Sequence, residues 1–372
     1  MKKKCFGTVS YNIYCNFTNY GSALQSWALS QAIQRLGYDT KLVDYCPAVL
    51  ADKDALNPFA SMWDKDEESQ RMCALSMPAI RTNYYKFDNF YKTKFHKTEK
   101  KYTAENFNDI VADENIDGFV CGSDTIFCPD EFGIDDGYYA NYDVMKNGYT
   151  VAYAASFGDP HFTEEIYPIL NDRLKNFKAF GLRENLMIPY VSARTAVPVQ
   201  KVIDPTLLLQ RTDYEKIEES CPIDGPYLLL YARRYNEKME KYARDMAAKM
   251  GWKIVEISLR ATNAEKGHIM AYDAGVGEFL TLVKNARFVV TNSFHGMIFS
   301  VQYERDFAVF SREQCDTKIT ELLALFGLSD RMLFTGEESV APINYSAVHE
   351  RIAKAREASL QFLKSELEGI GA

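Results

Sequence analysis

The chain has 372 residues, enough for two domains of ordinary size. Hydrophobic residues make up 47% and charged residues 25%, while 43 basic against 51 acidic side chains leave a net charge of −8. That balance excludes a general nucleic-acid binder, which needs excess Lys and Arg, and no apolar run approaches the roughly 18–20 residues of a membrane span.

Residues 5–10 are a β-prone run. The polar stretch 16–21 leads into a helix predicted over 22–36, with Leu24, Trp27, Ala28, Ala32 and Leu36 on one face and Gly37 as its stop. Residues 40–45 form a second strand, which predicts a right-handed βαβ unit and a parallel sheet. The alternation continues through strands at 118–121 and 150–155, a helix at 164–177, and strands at 179–182 and 199–203. Pro222, Gly225 and Pro226 then punctuate a polar stretch. A domain break is expected between 185 and 225, giving domains 1–195 and 196–344. The second half repeats the scheme, with strands at 227–231, 253–257, 288–291 and 307–310 and helices at 237–250, 277–286 and 297–303. An amphipathic helix fills the segment 345–372, with Val348, Ile352, Ala355, Leu363 and Leu367 on one side, and is expected to pack on both domains. The outline is α/β, with two Rossmann-type parallel-sheet domains facing a central cleft.

Residues 81–101 hold seven basic residues against two acidic ones, interleaved with Tyr84, Tyr85, Phe87, Phe90, Tyr91 and Phe95. They read either as a solvated helix with an aromatic inner face or as a patch for an anionic acceptor or a membrane surface. Eight scattered cysteines (5, 15, 46, 73, 121, 128, 221, 315) form no C-x-x-C pair, and none of the five histidines is paired at i+3 or i+4. Thiols in a reducing compartment and no metal centre are expected. The basic start Met1–Lys4 runs into polar residues rather than a signal-type block, so a cytoplasmic protein is expected. P-loop, dinucleotide, H-E-x-x-H and G-x-S-x-G patterns are missing. Asp52-Lys53-Asp54 and Asp64-Lys65-Asp66 have acidic-motif spacing but lie in polar connecting segments and read as solvated surface.

The strongest local signal is 289–297, a buried strand that turns into a helix. Ser293 offers a hydroxyl, His295 an imidazole and Gly296 close backbone approach, which with free amides and the helix dipole makes an anion site, most naturally for phosphate. A cation is needed beside it. Arg183, followed by Glu184, and the pair Arg233-Arg234 stand at strand ends and suit phosphate or carboxylate, or else surface ion pairs. Asn19-Tyr20-Gly21 and Gly122-Ser123-Asp124 follow strands of the first half and suit hydroxyl recognition or plain turns.

Six segments in this order, carried by Asn19-Tyr20-Gly21 with Leu24-Gln25, Gly122-Ser123-Asp124, 153–158, Arg183-Glu184, 204–208 and 293–296, resemble the polysaccharide pyruvyl transferase family over about residues 5–335. The resemblance implies a GT-B-like transferase that moves the enolpyruvyl unit of phosphoenolpyruvate onto a sugar, forming a cyclic ketal during bacterial capsule or exopolysaccharide synthesis. It implies donor binding by Ser293, Phe294, His295, Gly296, Arg183 and Arg233, with His295 and Arg183 catalytic. Acceptor binding would fall to Asn19, Tyr20, Gly21, Gly122, Ser123, Asp124 and Ser156. No cofactor or metal is called for, and the acceptor would be a sugar or a lipid-linked oligosaccharide, the latter bringing residues 81–101 to the inner membrane surface. Thr125, Phe127 and Cys128 stand where the family usually has Gln, Trp and Asn, which implies an altered acceptor side. The competing expectations are a GT-B nucleotide-sugar glycosyltransferase and a non-catalytic carbohydrate-binding relative.

Overall fold

Short apolar runs alternate with helices along the chain, and a strand that returns through a helix pairs in the same direction as the one it left. The computed structural model describes residues 3–62, 65–312 and 316–370. Strands β1 (Cys5–Val9), β2 (Asp39–Leu42), β3 (Gly118–Cys121), β4 (Thr150–Ala155), β5 (Phe180–Leu182) and β6 (Val199–Lys201) form one sheet in the order β2-β1-β3-β4-β5-β6. Strands β7 (Tyr227–Tyr231), β8 (Lys253–Ile257), β9 (Ile269–Met270), β10 (Phe288–Thr291), β11 (Phe307–Phe310) and β12 (Met332–Leu333) form the other, in the order β12-β11-β10-β7-β8-β9. All pairings within both sheets are parallel. The second order is that of a dinucleotide-binding domain, in which ligands sit beyond the carboxyl ends of the strands.

The differences from expectation are local. β6 pairs with β5, so the first sheet extends past the expected boundary at 195. The Tyr20–Arg35 helix begins two residues early because Asn19 caps it, its side chain accepting from Gly21 N at 3.0 Å. Residues 43–45 leave β2; there Asp44 takes Lys97 at 2.5 Å and the Tyr14 hydroxyl at 2.6 Å. The expected helix 164–177 divides into Ile166–Arg173 and a 3₁₀ turn, Leu174–Asn176. The helix expected from 297 instead runs Phe294–Gln302, capped by Ser293, whose hydroxyl accepts from Gly296 N at 3.2 Å. His295 and Gly296 therefore lie in its first turn. Two helices read only in part or not at all from the sequence are Glu67–Lys94 and Asp316–Phe326.

The halves are joined by buried side chains. Tyr20 stacks on Phe279 with ring centroids 4.4 Å apart and donates its hydroxyl to Ala274 O at 2.7 Å. The Tyr345–Glu368 helix then returns to the first sheet, where Ile203 N donates to Ser359 Oγ at 3.0 Å and Phe362 fills the space beside Gly181. Residues 81–94 belong to the Glu67–Lys94 helix, with Phe87, Phe90 and Tyr91 in the core. Lys86, Lys92, Lys97 and Lys100 are paired with Glu278, Asp88, Asp44 and Asp113, so the segment's excess charge is mostly compensated within the protein. Asp66 caps that helix through Ser69 N, and Asp52 lies 3.4 Å from Lys53, while Asp64 and Cys315 lie outside the described residues. Of the other cysteines, Cys5, Cys15, Cys46, Cys73, Cys121 and Cys128 are buried and Cys221 is half-buried. Among the described residues no helix is long and apolar enough to cross a membrane, and no group of three His, Cys, Asp or Glu side chains is placed to hold a metal.

Candidate active site

A cleft of about 1580 Å³ opens where the strands of both sheets end. Its wall from the first sheet carries Tyr11, Asn19, Asp124 and Thr125; the facing wall carries Arg233, Ser293, Phe294, His295 and Lys318. Each residue stands just after a strand or in the first turn of a helix, as expected for ligand positions on this architecture.

The Phe294–Gln302 helix is locked to its strand before it can meet a ligand. Thr291 Oγ1 donates to Tyr231 O at 2.7 Å and accepts from Ser293 N at 3.0 Å. A Cβ on Gly296 would lie 2.6 Å from Thr291 Oγ1 and 2.9 Å from the Tyr231 ring. The glycine thus serves the close approach of helix to strand rather than of backbone to ligand. Asn292 accepts from Arg233 N and donates to Arg234 O, both at 2.8 Å, tying the turn after β7 to the turn after β10.

His295 points across to the first domain. Its Nε2 lies 3.5 Å from Asp204 Oδ2, too long for a strong hydrogen bond, and the same oxygen accepts from Arg183 Nη1 at 3.1 Å. Asp204 Oδ1 is committed to Thr206, accepting from its amide at 3.0 Å and its hydroxyl at 2.6 Å. Burial pushes the Asp204 carboxyl up, but His295 and Arg183 beside it win and hold it well below the usual carboxylate range. Arg183 Nε also donates to Glu184 at 2.7 Å, its Cζ lies 4.7 Å from the centre of the Phe294 ring, and its Nη2 is buried without a partner. The guanidinium is 3% exposed and stands behind the cleft wall. Arg183 thus does not line the cleft where a direct grip on a ligand is expected of it; burial and two carboxylates hold it beside Phe294.

Asp124 faces this group from the other side. It adopts a left-handed backbone at φ 71° and accepts from Ser22 Oγ at 2.7 Å and Thr125 N at 2.9 Å. Burial raises its proton affinity, but Arg183, His295 and Lys318 lower it further, so it is held ionised. Gln25 props the turn from below, accepting from Ser123 N at 3.0 Å and donating to Ser10 Oγ at 2.8 Å.

Of the residues expected to bind acceptor, Asn19 and Asp124 reach the cleft wall. Gly21 packs under His295, where a Cβ would fall 1.9 Å from Nδ1. Tyr20 is buried between the domains. Gly122 at φ 129° lies against Tyr153 O, Ser123 donates to Ala154 O at 2.9 Å, and Ser156 accepts from Gly158 N at 3.0 Å, so these three are scaffold. Arg233 lines the opposite wall and donates to Thr18 O at 3.3 Å across the domain junction. Thr125 donates to Glu131 at 2.7 Å, Phe127 is buried and stacked on Tyr139 at 4.5 Å, and Cys128 reaches the cleft as a thiol pushed up to about 11 by burial. At that value it is no nucleophile near neutrality. Asp204, in a quoted segment but without a role, was missed as a link, although an Asp-Pro-Thr at a strand end is a legible cap signal. Lys318 carried no sequence signal at all.

Two parallel-sheet domains with a cleft between them define a GT-B-type protein. Solved structures agree at the level of fold. They include a putative UDP-N-acetylglucosamine 2-epimerase from Listeria monocytogenes (TM-score 0.52, 12% identity, covering 97% of this chain and 91% of that one). The epimerase from Neisseria meningitidis bound to UDP-GlcNAc gives 0.51 at 9% identity, covering 98% and 99%. No curated protein sequence matches closely enough to supply a relative. The family model for polysaccharide pyruvyl transferase matches residues 19–314, and the chain belongs to that family.

Proposed function

We propose that this chain transfers the enolpyruvyl unit of phosphoenolpyruvate to two neighbouring hydroxyls of a sugar, free or lipid-linked, closing a cyclic pyruvate ketal and releasing phosphate. The setting would be capsule or exopolysaccharide synthesis in the cytoplasm. The observation that carries this reading is the meeting of His295 and Arg183 on Asp204 Oδ2 at the open end of the Phe294–Gln302 helix, with the ionised Asp124 opposite.

A proton adds to the methylene carbon, a sugar hydroxyl attacks C2, the bond from C2 to the phosphate oxygen breaks, and a second hydroxyl attacks C2 to close the ring. One hydroxyl proton balances the proton taken up by the new methyl group, and the other leaves with phosphate. Fixed cations and amides suit this sequence because negative charge collects on the departing phosphate. In this reading His295, oriented by Asp204, would bind and protonate that phosphate, and Asp124 would orient the acceptor hydroxyl and take its proton. Ser293 and the first amides of the helix complete the cradle.

The nucleotide-sugar alternative draws on the order of the second sheet. In such domains an acid at the end of the second strand holds a ribose. Here Glu256 has that place but already accepts from Ser258 Oγ at 2.5 Å, from Asn263 at 3.0 and 3.1 Å, and contacts His268 Nδ1 at 2.5 Å. That favours the phosphoenolpyruvate reading. The test is a mass-spectrometric screen of sugar acceptors with phosphoenolpyruvate, read for the pyruvylidene adduct and for phosphate. Wild type should form both, and His295→Ala neither. A melting temperature raised by nucleotide sugars but not by phosphoenolpyruvate would reverse the choice.

A further inference from the structure

Lys318 sits in the first turn of the Asp316–Phe326 helix and lines the cleft, yet only 8% of it is exposed. Among the described residues no carboxylate lies within ion-pair distance of its ammonium. The contact it makes is with an aromatic face: Nζ stands 5.9 Å from the centre of the Phe294 ring, the first residue of the Phe294–Gln302 helix. Its charge is also felt by Asp124 across the cleft. The side chain is more than nine-tenths buried while its ammonium ends at the cleft with no carboxylate in ion-pair range, a place where a bound anion would supply the missing charge.

The neighbouring donors divide the work. With the Gly296 amide taken by the Ser293 cap, the helix end still offers the Phe294 and His295 amides and the Ser293 hydroxyl proton, which match the several oxygens of a phosphate. Lys318, carried by a different helix, offers a compact point charge beside the Phe294 ring. We infer that Lys318 is a second anion-binding centre, which takes the carboxylate of a small donor bearing both a carboxylate and a phosphate, while the helix terminus takes its phosphate. This rests on the phosphoenolpyruvate reading above and adds the residue that tells that donor from a simple phosphate.

The test compares phosphoenolpyruvate and inorganic phosphate by calorimetry and thermal shift on the full chain. Lys318→Met should weaken phosphoenolpyruvate binding by roughly ten- to a hundredfold, as for a lost charged hydrogen bond, and change phosphate binding less than threefold. The ligand-free melting temperature should rise by roughly 2–4 °C, because an uncompensated ammonium has gone. Lys318→Arg, which keeps the charge, should retain most of the affinity. Lys318→Met that melts lower and still prefers phosphoenolpyruvate would make Lys318 structural and overturn the assignment, as would equal losses in both variants. Wild-type protein unable to distinguish the two ligands would instead remove the donor reading itself, and this assignment with it.

Discussion

Gly21, in the first turn of a helix of the first domain, is the surface on which His295 of the second domain rests. A Cβ at Gly21 would lie 1.9 Å from His295 Nδ1 and 2.4 Å from Cγ, so any larger residue must move the imidazole. The histidine is thus positioned by two elements of the opposite domain, the glycine on one side and Asp204 on the other.

Gly21→Ala is accordingly expected to act on chemistry more than on folding. On the proposed role of His295, displacing it by about 1 Å costs on the order of a hundredfold in rate. Phosphate release under saturating donor should fall by about that factor, while the melting temperature stays near that of wild type. A variant with unchanged turnover would show that His295 is not held at this contact for catalysis.

Asp204→Asn removes the carboxylate that Arg183 and His295 share. Breaking a buried ion pair from one side costs about 3–5 kcal/mol, because the guanidinium stays buried with Glu184 as its remaining direct partner. The sign of the pH dependence follows from the depressed proton affinity of Asp204. Its contribution is complete above the ordinary carboxylate range near pH 4 and is lost as pH falls through its lower folded value. Urea denaturation of wild type and variant should therefore differ most at neutral pH and converge in acid.

Asp135 carries the opposite sign. Burial raises it to about 6, in spite of hydrogen bonds from Tyr138 N, Tyr45 and Gly137 N. A raised carboxylate contributes stability that is complete below its unfolded value and lost as pH rises through the folded one. Asp135→Asn should thus stabilise the protein at pH 8 by up to about 3 kcal/mol, with no gain at pH 4. Chemical denaturation at the two pH values checks this, and a loss at pH 8 would mean that the Tyr45 contact outweighs the burial cost.

Asp124→Asn keeps the size of the side chain and removes the proposed base. Turnover should fall by about 10²–10⁴, the usual worth of a positioned general base. Phosphoenolpyruvate binding, measured by calorimetry, should change little, since the proposed donor contacts lie on the other wall. An equal loss in both would place Asp124 on the donor side.

The chain's own pattern was sufficient for much of this molecule. Strand and helix alternation announced two parallel sheets, and the buried run ending at Thr291 announced a helix terminus bearing Ser293 and His295. Those features are local: periodicity records which face of each element is buried and which way the chain must return. What periodicity does not record is which strand ends meet. The meeting of His295 with Gly21 and Asp204, the withdrawal of Arg183 behind Phe294, the burial of Tyr20 and Ser123, and the arrival of Lys318 from a later helix all depend on sheet order and on how one domain docks against the other. Those are outcomes of packing between segments far apart in the chain, and only the tertiary structure decided them.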